Sequence, residues 1–170
     1  MDPFISKNDL ASGIDVDAIP ADYIIITHGH QDHIDDAIRI IERTGARIIS
    51  SFEIVDWFNG KGYEGHGMNT GGRHQFEFGT IRAVVAQHSS RLPDGSNGGN
   101  PLGFVISSQD STFYLAGDTG LTMDMKLIPL MCPPLDFAVL PIGGNYTMEY
   151  TDVPLAAEFL ECNTIIGCHF

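Results

Sequence analysis

Short apolar runs alternate with amphipathic segments in the first third of the chain. Residues 22–27 (DYIIIT) and 46–51 (ARIISS) are β-branched runs of the length typical of buried strands. Between them, the apolar residues of 35–45 recur at helical spacing, and Gly45 fits the C-terminal cap of that helix. Residues 53–59 (EIVDWFN) predict a second, shorter helix. The pattern therefore predicts the order strand, helix, strand, helix.

Strands dominate the rest of the pattern. Two segments rich in glycine, 60–72 and 89–101, are predicted to be loops, and the second is unusually long. Helical spacing predicts helices over 121–129 and 151–161, the latter with Thr151 as N-cap and Pro154 in its first turn. The predicted strands are 74–78, 80–87, 102–108, 111–117, 136–142 and 163–168, and a hairpin joins the third to the fourth. Strands that alternate with helices predict an α/β or a layered α+β fold.

Composition favours one globular domain and excludes two classes of partner. The chain has 170 residues, 43% of them hydrophobic and 18% charged, so we expect a single folded domain over residues 1–170. Its net charge is −13, with 22 acidic and 9 basic residues. Nucleic acids and anionic membranes both require a basic surface, so neither is an expected partner. We expect a small-molecule substrate.

Cysteine usage and the absence of targeting signals indicate the cellular compartment. The three cysteines, Cys132, Cys162 and Cys168, form no CxxC pair, and an odd number without framework spacing is typical of a reducing compartment. The sequence shows no signal peptide and no apolar run long enough to span a membrane. We therefore expect a cytoplasmic protein.

Metal-binding residue types collect just after the predicted strands. The chain has seven histidines, and three of them lie in the stretch THGHQDH, residues 27–33. Further histidines and an aspartate follow three other apolar strands, and open α/β sheets place ligand sites at such strand ends. The candidate ligands are His28, His30, Asp32, His33, His88, Asp118 and His169.

Five imidazoles and two carboxylates are ligands that suit zinc, and also manganese or iron. Seven ligands exceed the needs of one tetrahedral ion, so the set predicts two divalent ions that share a bridging ligand. A carboxylate suits the bridge because its two oxygens can contact two cations. Two histidines lack the strand-end context: His74 is predicted to have no special role, and for His66, in HGMNTGG, a functional and an ordinary loop role are equally expected.

These motifs resemble the metallo-β-lactamase superfamily, and within it a branch described as uncharacterised metal-dependent hydrolases. The resemblance rests on THGHQDH, HGMNTGG, AQHSS, NPLGFVI, YLAGDTGLTMDM and LPIGGNYTM, which together span nearly the whole chain. It implies a layered α+β fold, the αββα sandwich, with a metal site at the edge between two sheets. It also implies that His28, His30 and His88 hold one ion. Asp32, His33 and His169 would hold the second, and Asp118 would bridge the two.

The resemblance further implies hydrolysis by a hydroxide held between the two metals, because metal binding lowers the pKa of water toward neutrality. Asp118 and Asp32 are then catalytic candidates through the metals they bind. His66 is a candidate proton donor to the leaving group. The GGN sequence at residues 143–145, followed by Tyr146, is predicted either to shape the substrate pocket or to be an ordinary tight turn.

The chain departs from the family pattern at both ends. Family members begin with a hairpin before the residues seen here as DPFIS, and they continue beyond the final histidine, whereas this chain begins at Met1 and stops one residue after His169. We therefore expect a fold that lacks the N-terminal hairpin and the C-terminal end. Exposed sheet edges would then favour a homo-oligomer, and His169 would be prone to fraying.

Three functions follow from this reading. The main one is a dinuclear metal-dependent hydrolase of a small ester, lactone or phosphodiester. The alternative is a metal-binding fragment or interaction module without catalysis. A diiron redox centre is a weaker third, because the chain has no flavin domain. Ribonuclease Z shares the site, but the acidity of this chain argues against a tRNA substrate.

Overall fold

The computed structural model describes residues 1–170, which divide into two compact units. Unit 1 consists of residues 1–68 and 90–99, and unit 2 consists of residues 69–89 and 100–170. Each unit contains its own β-sheet. None of the helices combines the length and apolarity that a bilayer crossing demands. The expectation of a single domain stays a prediction.

The sheet of unit 1 has three parallel strands in the order β1 (Tyr23–Ile25), β2 (Arg47–Ser51) and β3 (Gly65–Met68). Parallel neighbours need a crossover connection, and helices supply both crossovers. The first contains α1 (Gln31–Ile34) and α2 (Ala37–Thr44), and the second contains α3 (Phe52–Asn59). The predicted order of strands and helices is therefore confirmed for residues 22–59.

Helix α2 ends where the sequence predicted and begins differently. Gly45 adopts the left-handed conformation, with φ of 73°, and its amide donates to the Ile41 carbonyl at 2.7 Å. At the other end, the Asp36 carboxylate does not cap the helix. It accepts instead from the amides of Ile5 at 2.7 Å and Ser6 at 2.8 Å. This side chain therefore fastens the N-terminal segment to α2.

The core of unit 1 lies on one face of its sheet. Ile24, Ile26 and Ile48 alternate along the strands and contribute that face, as the period of a strand requires. The apolar sides of the helices and one residue of the 90–99 segment pack there: Ala37, Ile40, Ile41, Ile54, Val55, Phe58 and Leu92.

The prediction of a loop over 60–72 is wrong in its centre, where β3 forms. Hydrophobic periodicity does not predict β3, because two of the four residues of this strand are glycines. The pairing partner explains the composition: a Cβ built on Gly65 would lie 2.9 Å from the Ile48 carbonyl oxygen. Backbone proximity to β2, rather than side-chain burial, selects glycine here.

Unit 2 contains a six-stranded sheet in sequence order. Its strands are β4 (Arg73–Phe76), β5 (Gly79–Val85), β6 (Leu102–Ser107), β7 (Thr112–Leu115), β8 (Phe137–Pro141) and β9 (Ile165–Cys168). Strands β4 to β7 are antiparallel, and β8 and β9 continue in parallel with β7. The predicted hairpin of β6 and β7 is confirmed.

The helices of unit 2 differ from the prediction at their ends. A 3-10 turn over Met123–Leu127 leads into α4 (Ile128–Met131), so the helical segment passes Pro129 instead of stopping there. Proline is tolerated because it occupies the first turn of α4.

The last helix, α5 (Val153–Leu160), has Pro154 in its first turn, as predicted. Thr151 is not its N-cap. A 3-10 turn over Tyr150–Asp152 precedes the helix, and a capping box between Glu149 and Asp152 satisfies the amides there.

The core of unit 2 contains one unusual polar atom. The core is built from strand residues such as Val84, Val105 and Leu140 together with Met125 and Leu160 from the helical segments. Tyr114 on β7 is fully buried among them, and its hydroxyl has no hydrogen-bond partner. Burial raises the pKa of Tyr114 far above its usual range.

Candidate metal centre

The first group of candidate ligands lies in unit 1: His28 and His30 are on the loop after β1, and Asp32 and His33 are in α1. His28 is fully buried and His33 is nearly so, whereas His30 and Asp32 are partly exposed. His30 is the extended residue that precedes α1, and its carbonyl accepts from the His33 amide at 3.0 Å. The strand end and the single turn of α1 thus bring all four side chains of the THGHQDH motif into one small region.

A hydrogen-bond relay orients His28. The Thr27 hydroxyl donates to Asp2 Oδ2 at 2.8 Å, so it can only accept from His28 Nδ1, which lies 3.1 Å away. Nδ1 of His28 therefore carries the proton, and Nε2 keeps its lone pair. That Nε2 lies 2.9 Å from Nδ1 of His30. Two imidazoles consequently present their nitrogens to the same point.

The same aspartate orients His33. Asp2 Oδ2 lies 3.0 Å from Nδ1 of His33, and the opposite ring nitrogen, Nε2, lies 3.6 Å from Oδ2 of Asp32. Asp2 Oδ1 meanwhile accepts from the Thr27 amide at 2.8 Å. A carboxylate behind a ligating histidine fixes its tautomer and ring direction. Asp2 lies directly behind His33 and, through the Thr27 hydroxyl, behind His28.

The loop also depends on a glycine and on the 90–99 segment. The Gly29 amide donates to Ser90 Oγ at 3.1 Å. A Cβ on Gly29 would lie 3.3 Å from atoms of Arg91 and Leu92, which is tighter than ordinary van der Waals contact. Glycine therefore lets the 90–99 segment pack against the loop between the two histidines. The long loop predicted from the sequence has this structural role.

The second group of candidate ligands lies in unit 2, at the ends of three strands. His88 follows β5, Asp118 follows β7 and His169 follows β9. Oδ2 of Asp118 lies 3.6 Å from Nε2 of His88 and 3.2 Å from Nε2 of His169. Asp118 is nearly buried, and 33% of the His169 side chain is exposed. One carboxylate oxygen thus faces two imidazoles.

The donor spacing within each unit fits a divalent metal. Two ligand atoms bound to one tetrahedral zinc at about 2.0–2.1 Å lie about 3.3 Å apart. The pairs in unit 1 are separated by 2.9 Å for His28 with His30 and by 3.6 Å for Asp32 with His33. The Asp118 pairs in unit 2, at 3.2 and 3.6 Å, bracket the same value. Imidazole nitrogens and carboxylate oxygens are also the correct donor types.

The structure separates the other two histidines by context. His66 is partly buried on β3, opposite Ile49 of β2, and so lies on a strand rather than on the predicted loop. His74 is exposed on β4, and its ring contacts Phe76 with 4.7 Å between centroids. Neither observation assigns a catalytic role, and that of His66 stays a prediction.

Asp2 is the functional residue that sequence reasoning missed. The DPFIS segment was noted only for its place at the start of the chain, and no role was predicted for its aspartate. Asp2 is distant in sequence from Thr27 and His33, and only the fold brings them together. A carboxylate next to Pro3 is the only local signal, and it has no specific meaning without the fold.

Comparison with known proteins identifies the family of the chain. A family profile described as "Beta-lactamase superfamily domain" matches residues 3–165. The chain belongs to the metallo-β-lactamase superfamily. Its relatives include a UPF0173 metal-dependent hydrolase of Christiangramia forsetii, 54% identical over 171 residues that cover 100% of this chain and 75% of that protein. Another, from Flavobacterium johnsoniae, is 49% identical over 100% of this chain and 75% of that protein.

A solved structure supports the same superfamily fold. Igni18, described as a novel metallo hydrolase from Ignicoccus hospitalis, matches with a TM-score of 0.85 and 34% identity, over 99% of this chain and 73% of that one. The predicted family and the predicted metallo-β-lactamase fold are therefore confirmed. This superfamily member is a metal-dependent hydrolase with candidate histidine and aspartate ligands.

Proposed function

We propose that the chain hydrolyses a small ester, lactone or phosphodiester at a centre of two divalent metal ions, zinc being the first metal to test. The observation that carries the proposal is the position of Asp118 Oδ2, at 3.6 Å from one histidine nitrogen and 3.2 Å from another. A carboxylate between two imidazoles is arranged as a bridging ligand would be. The acidity of the chain supports a small substrate rather than a nucleic acid.

The proposed ligand assignment is the one that the superfamily resemblance implies. The close pair of His28 and His30 serves the first ion, and the pair of Asp32 and His33 serves the second. In unit 2, His88 joins the first set, His169 joins the second, and Asp118 serves both. The donor spacing and the superfamily membership support this division.

The chemistry divides between the metals and the chain. When bound, divalent ions lower the pKa of water and polarise the scissile group. Asp2 and Thr27 hold the Nδ1 proton of His28 and thereby keep its Nε2 available for binding. No serine or cysteine nucleophile is required. His66 is the proposed proton donor to the leaving group, from its place on β3.

Metal content and turnover test the proposal together. The purified chain, prepared without chelator, is analysed for zinc, manganese and iron per folded molecule. It is then assayed on a panel of esters, lactones and phosphodiesters. We expect two ions per chain, and turnover that chelator abolishes and added metal restores. Absence of metal from folded protein resupplied with zinc and manganese would refute the proposal.

The same measurement addresses the non-catalytic alternative. Two bound ions without turnover on any substrate class would favour a binding module.

We further propose a cytoplasmic location, since the three cysteines lack the spacing of a disulfide framework.

A further inference from the structure

We propose that Gly143 is a positioning residue that holds His169 against Asp118, so that binding of the second metal ion depends on this glycine. The proposal rests on the proposed function, because it takes His169 to be a ligand of the second ion. The proposal rests on the close approach of two backbone segments, one after β8 and one after β9. Between them there is no room for a side chain at position 143.

The approach is specific to the position of the histidine. A Cβ built on Gly143 would overlap the backbone carbonyl oxygen of His169 and would lie 3.6 Å from the Cα of Phe170. Backbone atoms cannot rotate away as the end of a flexible side chain can. An alanine at this position must therefore displace the His169 backbone, and its imidazole with it.

Residues 143–149 form a turn that is fastened to two of the three ligand segments of unit 2. Immediately before this 143–149 turn, the Ile142 amide donates to the Cys168 carbonyl at 2.9 Å, next to His169. Near the end of the turn, the Met148 amide donates to the Thr119 carbonyl at 2.9 Å, next to Asp118. The turn thus links the segment that carries Asp118 to the segment that carries His169.

His169 adopts a conformation that needs such support. Its φ is 53°, in the left-handed region that residues other than glycine rarely adopt. Conformations of this kind persist where the surrounding structure fixes them. Its fixed surroundings are the 3.2 Å contact with Asp118 and the close approach of Gly143. The ordinary-turn interpretation of the GGN sequence is therefore incomplete.

Four variants separate this role from general destabilisation. Gly143→Ala is the test, and His169→Ala removes the ligand itself. Gly144→Ala is the matched control in the same turn: its φ is 68°, so alanine is strained there, but its Cβ would meet Glu149 side-chain atoms at 3.1 Å rather than His169. Gly120→Ala is a second control, since a Cβ there meets nothing within 4 Å.

Zinc titration of the metal-depleted chains, monitored by calorimetry, gives the affinity of each equivalent, and elemental analysis gives the bound number. For Gly143→Ala we expect the second equivalent to bind about 10- to 100-fold more weakly, with the first at its wild-type affinity. Both controls should bind two ions as the wild type does. Wild-type affinity for both ions in Gly143→Ala, with the second lost in His169→Ala, would overturn this inference and leave the proposed function intact. A His169→Ala chain that binds like the wild type would instead refute the ligand assignment, and the inference with it.

A measurement on the wild-type chain keeps the inference testable even if Gly143→Ala does not fold. Hydrogen exchange of the Ile142 and Met148 amides is followed with one and with two equivalents of zinc. Because these amides fasten the 143–149 turn, we expect the second equivalent to slow the exchange of both. If the second equivalent of zinc leaves the exchange of both amides unchanged, the inference is overturned.

Discussion

The two units supply metal ligands in opposite ways. In unit 1, four candidate ligands lie within six consecutive residues, and side chains orient two of them: Asp2 and Thr27 contact the ring nitrogens of His33 and His28 that face away from the candidate ligand atoms. In unit 2, three candidate ligands end three different strands, and backbone contacts of the 143–149 turn flank two of them. A local motif can be oriented by one partly buried carboxylate, whereas ligands scattered along the chain depend on how the sheet and its turns are built.

The largest effect is expected from removal of Asp118, which contacts both candidate histidines of unit 2. Asp118→Ala should lower turnover by about 10³-fold or more, equivalent to ~4 kcal/mol in the barrier, since the proposed bridging ligand is lost. We also expect the variant to bind fewer than two metal ions per chain, which elemental analysis measures. The exposed Asp110→Ala is the control. Unchanged turnover in Asp118→Ala would refute a bridging role.

The next test addresses side-chain orientation in unit 1. Asp2→Asn should weaken zinc binding by about 10- to 100-fold, because the amide cannot replace the carboxylate that faces both Thr27 and His33. Calorimetric titration measures the affinity, and circular dichroism checks the fold. Asp9→Asn, on an exposed 3-10 turn, is the control. Equal zinc affinities for the two variants would show that zinc binding does not need the Asp2 carboxylate.

A third test asks whether the N-terminal segment that carries Asp2 is anchored independently. Asp36→Asn should lower the free energy of unfolding by ~1–3 kcal/mol, because three donors from Ile5 and Ser6 lose a charged acceptor. Burial raises the pKa of Asp36, but the bonds from Ser6 and Ile5 outweigh burial and leave the pKa below its usual value of 3.8.

The pH dependence of this variant has a defined sign. A lowered pKa in the folded state contributes stability above the unfolded pKa, and that contribution is lost as the pH falls through the folded value. The wild type should therefore exceed Asp36→Asn in stability near neutral pH and lose that advantage below pH 3.8. Denaturant unfolding at several pH values measures the difference. A difference that is independent of pH would contradict the charged role of Asp36.

Unit 2 should respond in the opposite direction to loss of a polar group. Tyr114→Phe removes a buried hydroxyl that has no partner, so it should raise the free energy of unfolding by ~1 kcal/mol. Chemical denaturation with an unchanged m-value is the measurement. Tyr150→Phe, at an exposed position, should have no effect. Destabilisation of Tyr114→Phe would mean that the hydroxyl contributes to folding.

The smallest expected effect is spectroscopic and concerns the 90–99 segment of unit 1. Hydrogen bonds from Ser96 and from Trp57 Nε1 lower the pKa of Asp94 to about 2. Trp57 is the only tryptophan, so its fluorescence should report protonation of Asp94. We expect an emission change as the pH falls through about 2, and Asp94→Asn should remove that step. A step that persists in Asp94→Asn would have another origin.

The contrast between the units also explains what the sequence could predict. Periodicity located β1, β2, α2 and α3 because their apolar residues are buried on a regular face. It missed β3, whose glycines are selected by backbone proximity to β2. It misplaced the N-cap of α5, because the capping box begins at Glu149 rather than at Thr151. Local patterns do not register contacts of this kind.

The candidate ligands follow the same rule. The THGHQDH cluster is dense enough to be recognised alone, whereas His88 and His169 became candidates only through their strand ends and the family resemblance. No role was predicted for Asp2, and Gly143 was predicted only as part of a pocket or turn, because the partners of both residues are remote in sequence. Metal-binding residues belong to a few characteristic amino-acid types. The residues that position them are identified only by their location in the fold.

The return of residues 90–99 to unit 1 has a consequence for synthesis of the chain. Leu92 completes the core of unit 1, and Ser90 supports the loop of His28 and His30 through Gly29. At roughly 5–20 residues per second, the ribosome delivers these groups a few seconds after β3. Unit 1 therefore cannot complete its core until residues 90–99 have been synthesised, which is after β4 and β5 of unit 2. A fragment ending at β3 lacks Leu92 and Ser90 and should therefore be a poor autonomous folder.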